Sequence, residues 1–306
     1  MFSLSRKLSG YELPAISKQQ NVVGKLKMKI HKKMRTTITY FFLLFVTLNY
    51  GQITLSGIIK SNTNQPLEYV NIGIKSKNIG TISDNKGNFK ITINNSELKE
   101  LLSFSYMGYE EKQISIHELQ KSNFTEIILN ESQIVLSEVI VISTKPKLVE
   151  LGTKSYVSMV AGYVKANNDK NNDIQEFAKE IKIKKPSKII DVNINLFNVF
   201  VDTASFRINI YDVKDNLPNN KINTQNIVIQ KKVENGWNKF NVEEYDLNFE
   251  ETFFISIEYL PKQKDEVEPF RYSGQLFGKS ITRSSSFGIW NIKKGLTMSM
   301  FVTVKQ

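Results

Sequence analysis

The stretch Gly80–Ile93, GTISDNKGNFKITI, places two short runs of alternating apolar and polar residues on either side of the tetrapeptide Asp84–Gly87. The Asp84 carboxylate can accept hydrogen bonds from backbone N–H groups two or three residues further on, and Gly87 can adopt the positive φ that a corner requires. A calcium loop needs more oxygen ligands than this turn supplies, and the spacing Gly-x-x-x-x-Gly-Lys-Ser/Thr of a phosphate loop is absent. We therefore predict a structural turn, after which Phe89 points inward as the first core residue of the returning strand.

The same alternation continues on both sides of this turn. Up to about Val141, roughly seven short runs of period two are separated by turn residues, which is typical of an antiparallel β-sandwich. A second set of runs predicts strands at Ile189–Phe200, Phe206–Tyr211, Gln225–Val233, Trp237–Val242, Thr252–Tyr259, Ser286–Ile292 and Thr297–Val304. The sequence therefore predicts an all-β protein of two β-sandwich domains, the second of jelly-roll or similar type.

The positive charge of the chain lies mainly in its first residues. Nine of the 41 Lys and Arg residues, but one of the 30 acidic residues, lie in residues 1–35, so the remainder is close to neutral although the formal net charge is +11. A basic surface that binds phosphates by counterion release is therefore not indicated, and we expect no nucleic-acid partner.

The leader has the pattern of a secretory signal. A basic segment, Lys29–Arg35, precedes an apolar segment, Ile38–Leu48, which is shorter than the roughly 20 residues of a membrane span. We predict cleavage between Gly51 and Gln52, with translation starting at Met28 or Met34, and no integral membrane domain after cleavage. An uncleaved signal anchor is the alternative.

These features divide the chain into a leader (1–51), a first domain (52–143), a linker (144–154) and a second domain (155–306). Export would place the protein in the periplasm or at the outer membrane, with the cell surface as a further option. The linker is assigned because Thr144–Lys147 interrupts the strand pattern.

The first domain carries a resemblance to a known family. The residues that match are Gly57, Pro66-Leu67, Val70-Asn71-Ile72, Gly80-Thr81, Asp84, Gly87-Asn88-Phe89 and Ser105–Tyr109, and the segment LSEVIVIS at Leu136–Ser143 fits the end of the same pattern. This region resembles the carboxypeptidase-regulatory-like domain of Gram-negative envelope proteins, which is also found at the N-terminus of SusC-type TonB-dependent receptors. The resemblance implies a transthyretin-like, seven-stranded Greek-key sandwich without catalytic activity. Its structural turn and core residues would be Gly57, Asp84, Gly87, Phe89 and Tyr109.

The second half departs from such receptors. We expect that the roughly 160 residues after Ser143 do not form a barrel of about 22 strands, so the chain is not an intact transporter. These residues are similar, more loosely, to a sandwich domain that follows the regulatory-like domain in uncharacterised envelope proteins.

The sequence offers little material for catalysis. There is no cysteine, which excludes disulfides, thiolate nucleophiles and Cys-ligated zinc, and the two histidines are His31 in the leader and the isolated His117. The motifs H-E-x-x-H and G-x-S-x-G are absent. Paired acids are interpreted as solvated surface: Glu243 and Glu244, Glu250 and Glu251, and Asp265, Glu266 and Glu268. We expect no enzyme activity, no metal and no cofactor, with a carboxylate-pair hydrolase as the least favoured alternative.

Aromatic side chains are the remaining candidates for ligand binding, because exposed rings on β-sandwiches can stack on sugars. We select Trp237, Tyr245 and Tyr259 as possible stacking residues, although core packing is favoured for Trp237 and more strongly for Trp290. The leading functional hypothesis is a non-enzymatic, exported interaction or scaffold module that contacts an envelope protein or a glycan, with exposed strand edges available for docking. A carbohydrate-binding or adhesion module, and an accessory or remnant of a TonB-dependent nutrient receptor system, are the alternatives.

Overall fold

The computed structural model describes residues 27–35, 51–122, 124–132, 146–163, 173–261 and 268–306. The chain divides into two compact units, Met1–Gly51 and Gln52–Gln306. In the first unit, residues 27–35 form an exposed helix, α1. Among the described helices, none has the length and apolar character that a membrane crossing requires. The predicted apolar segment Ile38–Leu48 and the closing segment Leu136–Ser143 lie outside the described residues.

The second unit begins with a domain of seven short strands. These are β1 (Gln52–Ser61), β2 (Asn71–Gly73), β3 (Gly80–Ile82), β4 (Asn88–Asn94), β5 (Leu101–Ser105), β6 (Lys112–Ser115) and β7 (Thr125–Leu129), with a 3-10 turn at Asn95–Glu97 and a short helix, α2 (Ile116–Leu119). One sheet has the order β4-β1-β7, in which β1 and β7 are parallel, and the other has the antiparallel order β3-β2-β5-β6.

The two sheets of the first domain share one hydrophobic core. Phe89 of β4 contacts Phe104 of β5 edge to face, with ring centroids 5.6 Å apart, and both rings are buried. Apolar residues at alternate positions of β1 and β4 point into the same core, as the period-two pattern requires. This domain is therefore a β-sandwich.

The turn at Asp84–Gly87 is built from local hydrogen bonds. The Asp84 Oδ1 atom accepts the N–H groups of Lys86 (2.9 Å) and Asn88 (2.8 Å), and Gly87 has φ +76°. A Cβ atom on Gly87 would lie 2.4 Å from the carbonyl oxygen of Ile59, so a side chain is excluded there by position as well as by φ.

Two further residues named from the resemblance, Gly57 and Tyr109, also lie in close contact with neighbouring residues. A Cβ atom on Gly57 would lie 2.1 Å from the carbonyl oxygen of Thr125, which explains why β1 and β7 can approach there. Tyr109 packs its ring against Tyr106, with centroids 5.4 Å apart, and pairs with Glu131 in an isolated bridge.

The rest of the unit forms the second domain around its own core. Its strands are β8 (Leu148–Gly152), β9 (Val157–Tyr163), β10 (Gln175–Ile181), β11 (Ser187–Phe197), β12 (Thr203–Lys214), β13 (Leu217–Lys221), β14 (Ile227–Lys232), β15 (Gly236–Asn241), β16 (Asn248–Phe249), β17 (Phe253–Leu260), β18 (Arg271–Arg283), β19 (Asn291–Met298) and β20 (Met300–Lys305), with a 3-10 turn at Glu243–Tyr245.

These strands belong to one sheet whose main path is β13-β12-β17-β10-β18-β11-β20-β8. Side chains from β12 and β17 share a single apolar core with side chains from β11, β15 and β20, so the sheet folds onto itself as two packed layers. Together the two domains confirm the prediction of an all-β protein with β-sandwich domains.

The structure corrects the sequence interpretation in three places. The predicted strand Ser286–Ile292 is one of them, because Ser286 and Phe287 lie in a turn and β19 begins only at Asn291. Leu148–Gly152, inside the predicted linker 144–154, forms β8 and pairs with β20, because Val149 and Leu151 pack on the core of the second domain. The sequence pattern also predicted no strand at Gln175–Ile181 or Arg271–Arg283, which are β10 and β18. Both contain charged or glycine residues that obscure the apolar alternation.

Candidate functional site

A row of charged side chains crosses one face of the second domain's sheet. Strand register places Arg207 of β12 opposite Glu258 of β17, Glu258 opposite Glu176 of β10, and Glu176 opposite Arg283 of β18. Residues directly opposite one another in neighbouring strands point to the same face. The neighbouring positions, such as Phe206, point to the opposite face and form the apolar core.

The charges in this row are paired inside the protein. The Arg207 guanidinium donates two hydrogen bonds to Glu258, from Nε (2.9 Å) and Nη2 (2.6 Å), and Arg283 Nε donates to Glu176 Oε2 at 2.6 Å. Arg207 is 3% exposed and the two carboxylates are fully buried. Bidentate geometry of this kind stabilises a buried pair, whereas an isolated buried charge is strongly unfavourable.

Neutral donors complete the environment of Glu176. Its Oε1 atom accepts hydrogen bonds from Asn209 Nδ2 and the Tyr211 hydroxyl, both at 2.8 Å, and from Ser256 Oγ. Burial alone would raise the pKa of Glu176, but the positive charges of Arg283 and Lys221 and these hydrogen bonds outweigh it and hold the pKa well below its usual value. Glu176 is therefore an ionised, fully bonded carboxylate at neutral pH, which is unsuited to proton transfer.

The first domain covers this polar face. Arg207 Nη1 donates to the carbonyl oxygen of Tyr69 at 2.6 Å, and Tyr69 itself has φ +61°, an uncommon conformation for a residue other than glycine. Asn71 Nδ2 donates to Ser286 Oγ at 2.9 Å in a buried contact. The charged row is thus buried because another domain packs onto it.

Two glycines of the first domain permit this close approach. A Cβ atom on Gly73 would lie 2.6 Å from the carbonyl oxygen of Ser286, and one on Gly80 would lie 2.8 Å from the same oxygen. Nearby, the Ser76 N–H donates to the carbonyl oxygen of Phe287 at 3.1 Å. Gly80 belongs to the matched family pattern, and here it also serves contact with the second domain.

A cavity of about 780 Å³ opens beside this contact and is lined by both domains. Its lining residues are Asn71, Lys75, Ser76, Ser105–Tyr109, Glu111 and Ser132 from the first domain, and Tyr211, Pro218–Thr224, Arg283, Phe287, Gly288 and Trp290 from the second. The volume is in the range of small-molecule sites. We define this space as the interdomain cavity.

Aromatic rings form one wall of the interdomain cavity. Trp290 and Tyr211 meet edge to face, with centroids 5.6 Å apart, and the Arg283 guanidinium lies 4.7 Å from the Trp290 ring centre and 5.6 Å from that of Tyr211. Arg283 therefore fixes both rings by cation–π contact while it binds Glu176. On the first domain, Tyr106 lines the cavity and its hydroxyl accepts from Asn226 Nδ2 at 3.3 Å.

The stacking residues selected from the sequence do not line this cavity. Tyr259 is 4% exposed and packs against Phe206 and Phe270, so the structure corrects its selection: the ring belongs to the core and cannot stack on a ligand. Trp237 is half-buried against Phe301, and Tyr245 is half-buried on the same core. For these last two residues ligand stacking stays a prediction.

The structure instead brings together Trp290, Tyr211, Arg283 and Lys221, which sequence reasoning did not select. Trp290 was interpreted as a core residue, and one side of it does pack on a small cluster with Tyr211 and Phe254. The sequence signal that could have pointed to this cavity was the motif Ser105–Tyr109, which also lines it. Its two tyrosines were interpreted as a family feature of the fold.

The acidic pairs considered for catalysis lie apart from the cavity. Glu243 binds Lys305, Glu268 binds Arg271, and Glu244, Glu250 and Glu251 are exposed, whereas Asp265 and Glu266 lie outside the described residues. Within the described ranges, no group of three or more His, Cys, Asp or Glu residues could hold a metal ion.

Comparison with known proteins identifies the first domain. The family model of the CarboxypepD_reg-like domain matches residues 55–141. The TonB-dependent receptor SusC of Bacteroides thetaiotaomicron is 30% identical over 91 residues, which cover 30% of this chain and 8% of the receptor. Among solved structures, infectious bursal disease virus Gx strain matches with TM-score 0.21 and 10% identity, over 83% of this chain and 56% of that chain. The Gt strain matches with TM-score 0.17 and 9% identity, over 83% of this chain and 63% of that chain.

The structural matches are too weak to bear on the fold, whereas the family model and the receptor agree on the same segment. Apart from the first three residues of β1, the seven-stranded sandwich of β1 to β7 and the motif residues in it fall inside that segment. Residues 55–141 are therefore a CarboxypepD_reg-like domain, the domain also found in a SusC-type receptor.

Proposed function

We propose that this chain is a non-catalytic, exported binding module of the bacterial envelope, and that its interdomain cavity binds a saccharide. The observation that carries this proposal is that one cavity of about 780 Å³ is lined jointly by the CarboxypepD_reg-like domain and the second domain. The similarity of the first domain to that of SusC, an envelope receptor, supports a non-catalytic envelope role.

The chemistry of the lining suits a sugar better than an apolar ligand. Sugars bind proteins through the contact of their C–H faces with aromatic rings and through hydrogen bonds from their hydroxyl groups. The cavity presents Trp290 and Phe287 on one domain and Tyr106 and Tyr109 on the other, interspersed with hydroxyl and amide side chains. Because both domains supply rings, binding requires the two domains to be in contact.

The described carboxylates near the cavity do not suggest a hydrolase. Glycosidases use one carboxylic acid to donate a proton and a second carboxylate as nucleophile or base. Here Glu176 and Glu258 are bound to Arg283 and Arg207, and Glu111 binds Lys75 at 2.7 Å. This pairing supports binding without turnover.

Titration of the full chain with a panel of neutral and acidic oligosaccharides, followed by calorimetry, tests the proposal. We expect Trp290→Ala to weaken binding at least tenfold. Trp237→Ala, at the tryptophan outside the cavity, tests the alternative stacking residue: wild-type binding in this variant would assign the site to the cavity, and weakened binding would assign it to Trp237. Thr224→Trp, which adds bulk to the cavity lining without removing a contact, should also block binding. Failure of every sugar to bind the folded wild type would overturn the proposal and leave a protein partner as the occupant.

Export is proposed with a separate test. Mass spectrometry of the protein from intact and from protease-treated cells should give a mature N-terminus at Gln52. Digestion from outside would indicate the cell surface, and protection would indicate the periplasm. Recovery of residues 1–27 in the mature protein would refute the proposed start and cleavage.

A further inference from the structure

Among the described residues, the charges clustered at the wall of the interdomain cavity do not cancel, and Lys221 among them is partly exposed. Arg207 is paired with Glu258 and Arg283 with Glu176, which leaves the ammonium group of Lys221 as a fifth charge of the cluster. Two carboxylates therefore face three cations. A low-polarity environment makes such an excess charge unfavourable unless another anion approaches it.

Strand pairing directs Lys221 to this cluster. Lys221 ends β13 and lies directly opposite Tyr211 of β12, so both side chains point to the same face of the sheet. The backbone next to it is held by the hydrogen bond from Ile222 N–H to the carbonyl oxygen of Ile210 at 2.9 Å. Lys221 and Tyr211 both line the interdomain cavity.

No described residue forms an ion pair or hydrogen bond with the Lys221 ammonium group. By contrast, Lys75 at the cavity lining is paired with Glu111, and Arg283 with Glu176. Lys221 is therefore the cation of the lining that is available to an incoming anion.

We propose that the interdomain cavity binds an anionic saccharide, whose acidic group contacts Lys221 while its ring contacts Trp290 and the tyrosines of the first domain. A carboxylate, as in a uronic acid, or a sulfate ester would supply the missing counter-charge. This inference rests on the proposed function and specifies the ligand class of the same site.

The electrostatics of Lys221 add a pH dependence. Burial, together with the positive charge of Arg207, lowers the pKa of Lys221 to about 8, although Glu176 and Glu258 oppose this effect and Arg283 adds to it. The ammonium form binds the anion, so binding should weaken as the pH rises through about 8. Arg207 and Arg283 keep their charge in this range because carboxylates hold them.

Calorimetry on the full chain can separate charge from shape. The probes are trigalacturonate, its methyl ester, which lacks the charge but keeps the sugar ring, and a sulfated and a neutral galactotriose. We expect the two anionic probes to bind at least tenfold more tightly than the two uncharged ones at pH 6.5, since hydrogen bonds to charged groups typically contribute a factor of ten or more. This preference should decrease at pH 9.5.

Three variants assign the preference to Lys221. Lys221→Met should reduce binding of trigalacturonate about tenfold and leave binding of its methyl ester unchanged, and Lys221→Arg should retain the preference. Lys214→Met, at an exposed lysine of the same β12–β13 hairpin, is the matched control and should behave as the wild type.

The possible failures are distinguishable. Equal binding of charged and uncharged probes, or an unchanged preference in Lys221→Met, would overturn the anionic ligand and leave the saccharide site in place. If none of the four probes nor any other sugar binds, both the proposed function and this inference are refuted.

Discussion

The contact between Arg207, Glu258 and Tyr69 gives the sharpest prediction of this structure. Arg207 makes two hydrogen bonds to Glu258 and one, at 2.6 Å, to the carbonyl oxygen of Tyr69 in the first domain. Arg207→Met keeps the length of the side chain but leaves a fully buried carboxylate without its partner. Removing one member of a buried ion pair typically costs about 3–5 kcal/mol, and the lost hydrogen bond to Tyr69 adds about 1 kcal/mol.

Equilibrium unfolding in urea measures this cost. With a slope near the upper end for small proteins, about 3 kcal/mol per M, a loss of about 4 kcal/mol lowers the midpoint by roughly 1–2 M. The double variant Arg207→Met/Glu258→Leu removes both charges and should recover part of this loss, because an apolar pair can replace a buried ion pair at little cost.

A half-exposed ion pair of the first domain provides the control. Lys60 binds Glu126 at 2.7 Å, with 21% and 49% of the side chains exposed, and Lys60→Met should cost less than about 1 kcal/mol. Two results would refute the argument that the buried charge requires its partner. One is a loss of unfolding free energy in Arg207→Met no larger than that in Lys60→Met. The other is a further loss of about 3–5 kcal/mol when Glu258→Leu is added to Arg207→Met.

Three further predictions concern the turn of the first domain and a buried acid of the second. Gly87→Val should lower the free energy of unfolding by more than about 2 kcal/mol, measured by thermal or urea unfolding, because it combines φ +76° with a backbone oxygen 2.4 Å from the new Cβ. Gly236→Val, with φ +103° and no atom within 4 Å of the new Cβ, should cost only the backbone strain of about 1–2 kcal/mol. Equal losses in the two variants would contradict this prediction. Asp84→Ala should cost about 1 kcal/mol, because two N–H groups lose their acceptor, and an unchanged melting temperature would count against the role of that turn. Burial raises the pKa of Asp173 from 3.8 to about 6, although hydrogen bonds from Ser286 lower it. The contribution of this group to stability is therefore fully present below pH 3.8, is lost progressively as the pH rises to about 6, and does not change further above that pH. Asp173→Asn should therefore gain up to about 3 kcal/mol relative to the wild type between pH 3.8 and pH 7, and parallel stability profiles would refute this.

The sequence predicted those features of the fold that depend on local patterns. Short-range chemistry specifies the turn at Asp84–Gly87, and the alternation after Phe89 specifies the strand that follows it. The structure shows β3 and β4 on either side of this turn, in different sheets of the sandwich. Strand β18 escaped prediction because Gly274 and Gly278 interrupt its apolar alternation and a bulge shifts its register. Strand β10 escaped prediction because the buried residues on one of its faces, such as Glu176, are charged or small, so that the strand shows no apolar alternation.

The candidate site was less predictable than the fold for a related reason. In the segment FRINIYDV, Arg207, Asn209 and Tyr211 alternate with buried apolar residues, and that pattern ordinarily indicates a strand with one face in water. Alternation determines which side chains share a face, but it carries no information on whether a distant segment covers that face. The covering segment, around Tyr69, lies more than a hundred residues away in the chain.

The tyrosines of the first domain also show that a local sequence pattern does not reveal contacts with a distant part of the chain. The motif Ser105–Tyr109 identifies a CarboxypepD_reg-like domain, and a domain considered alone assigns Tyr106 and Tyr109 to its own packing. In this chain both tyrosines also line a cavity opposite Trp290, which belongs to a different domain. A residue can therefore satisfy the pattern of its fold and still acquire a second role from the partner domain. The proposed binding role therefore concerns the pair of domains, because neither domain alone holds both walls of the cavity or both ends of the Arg207 contact.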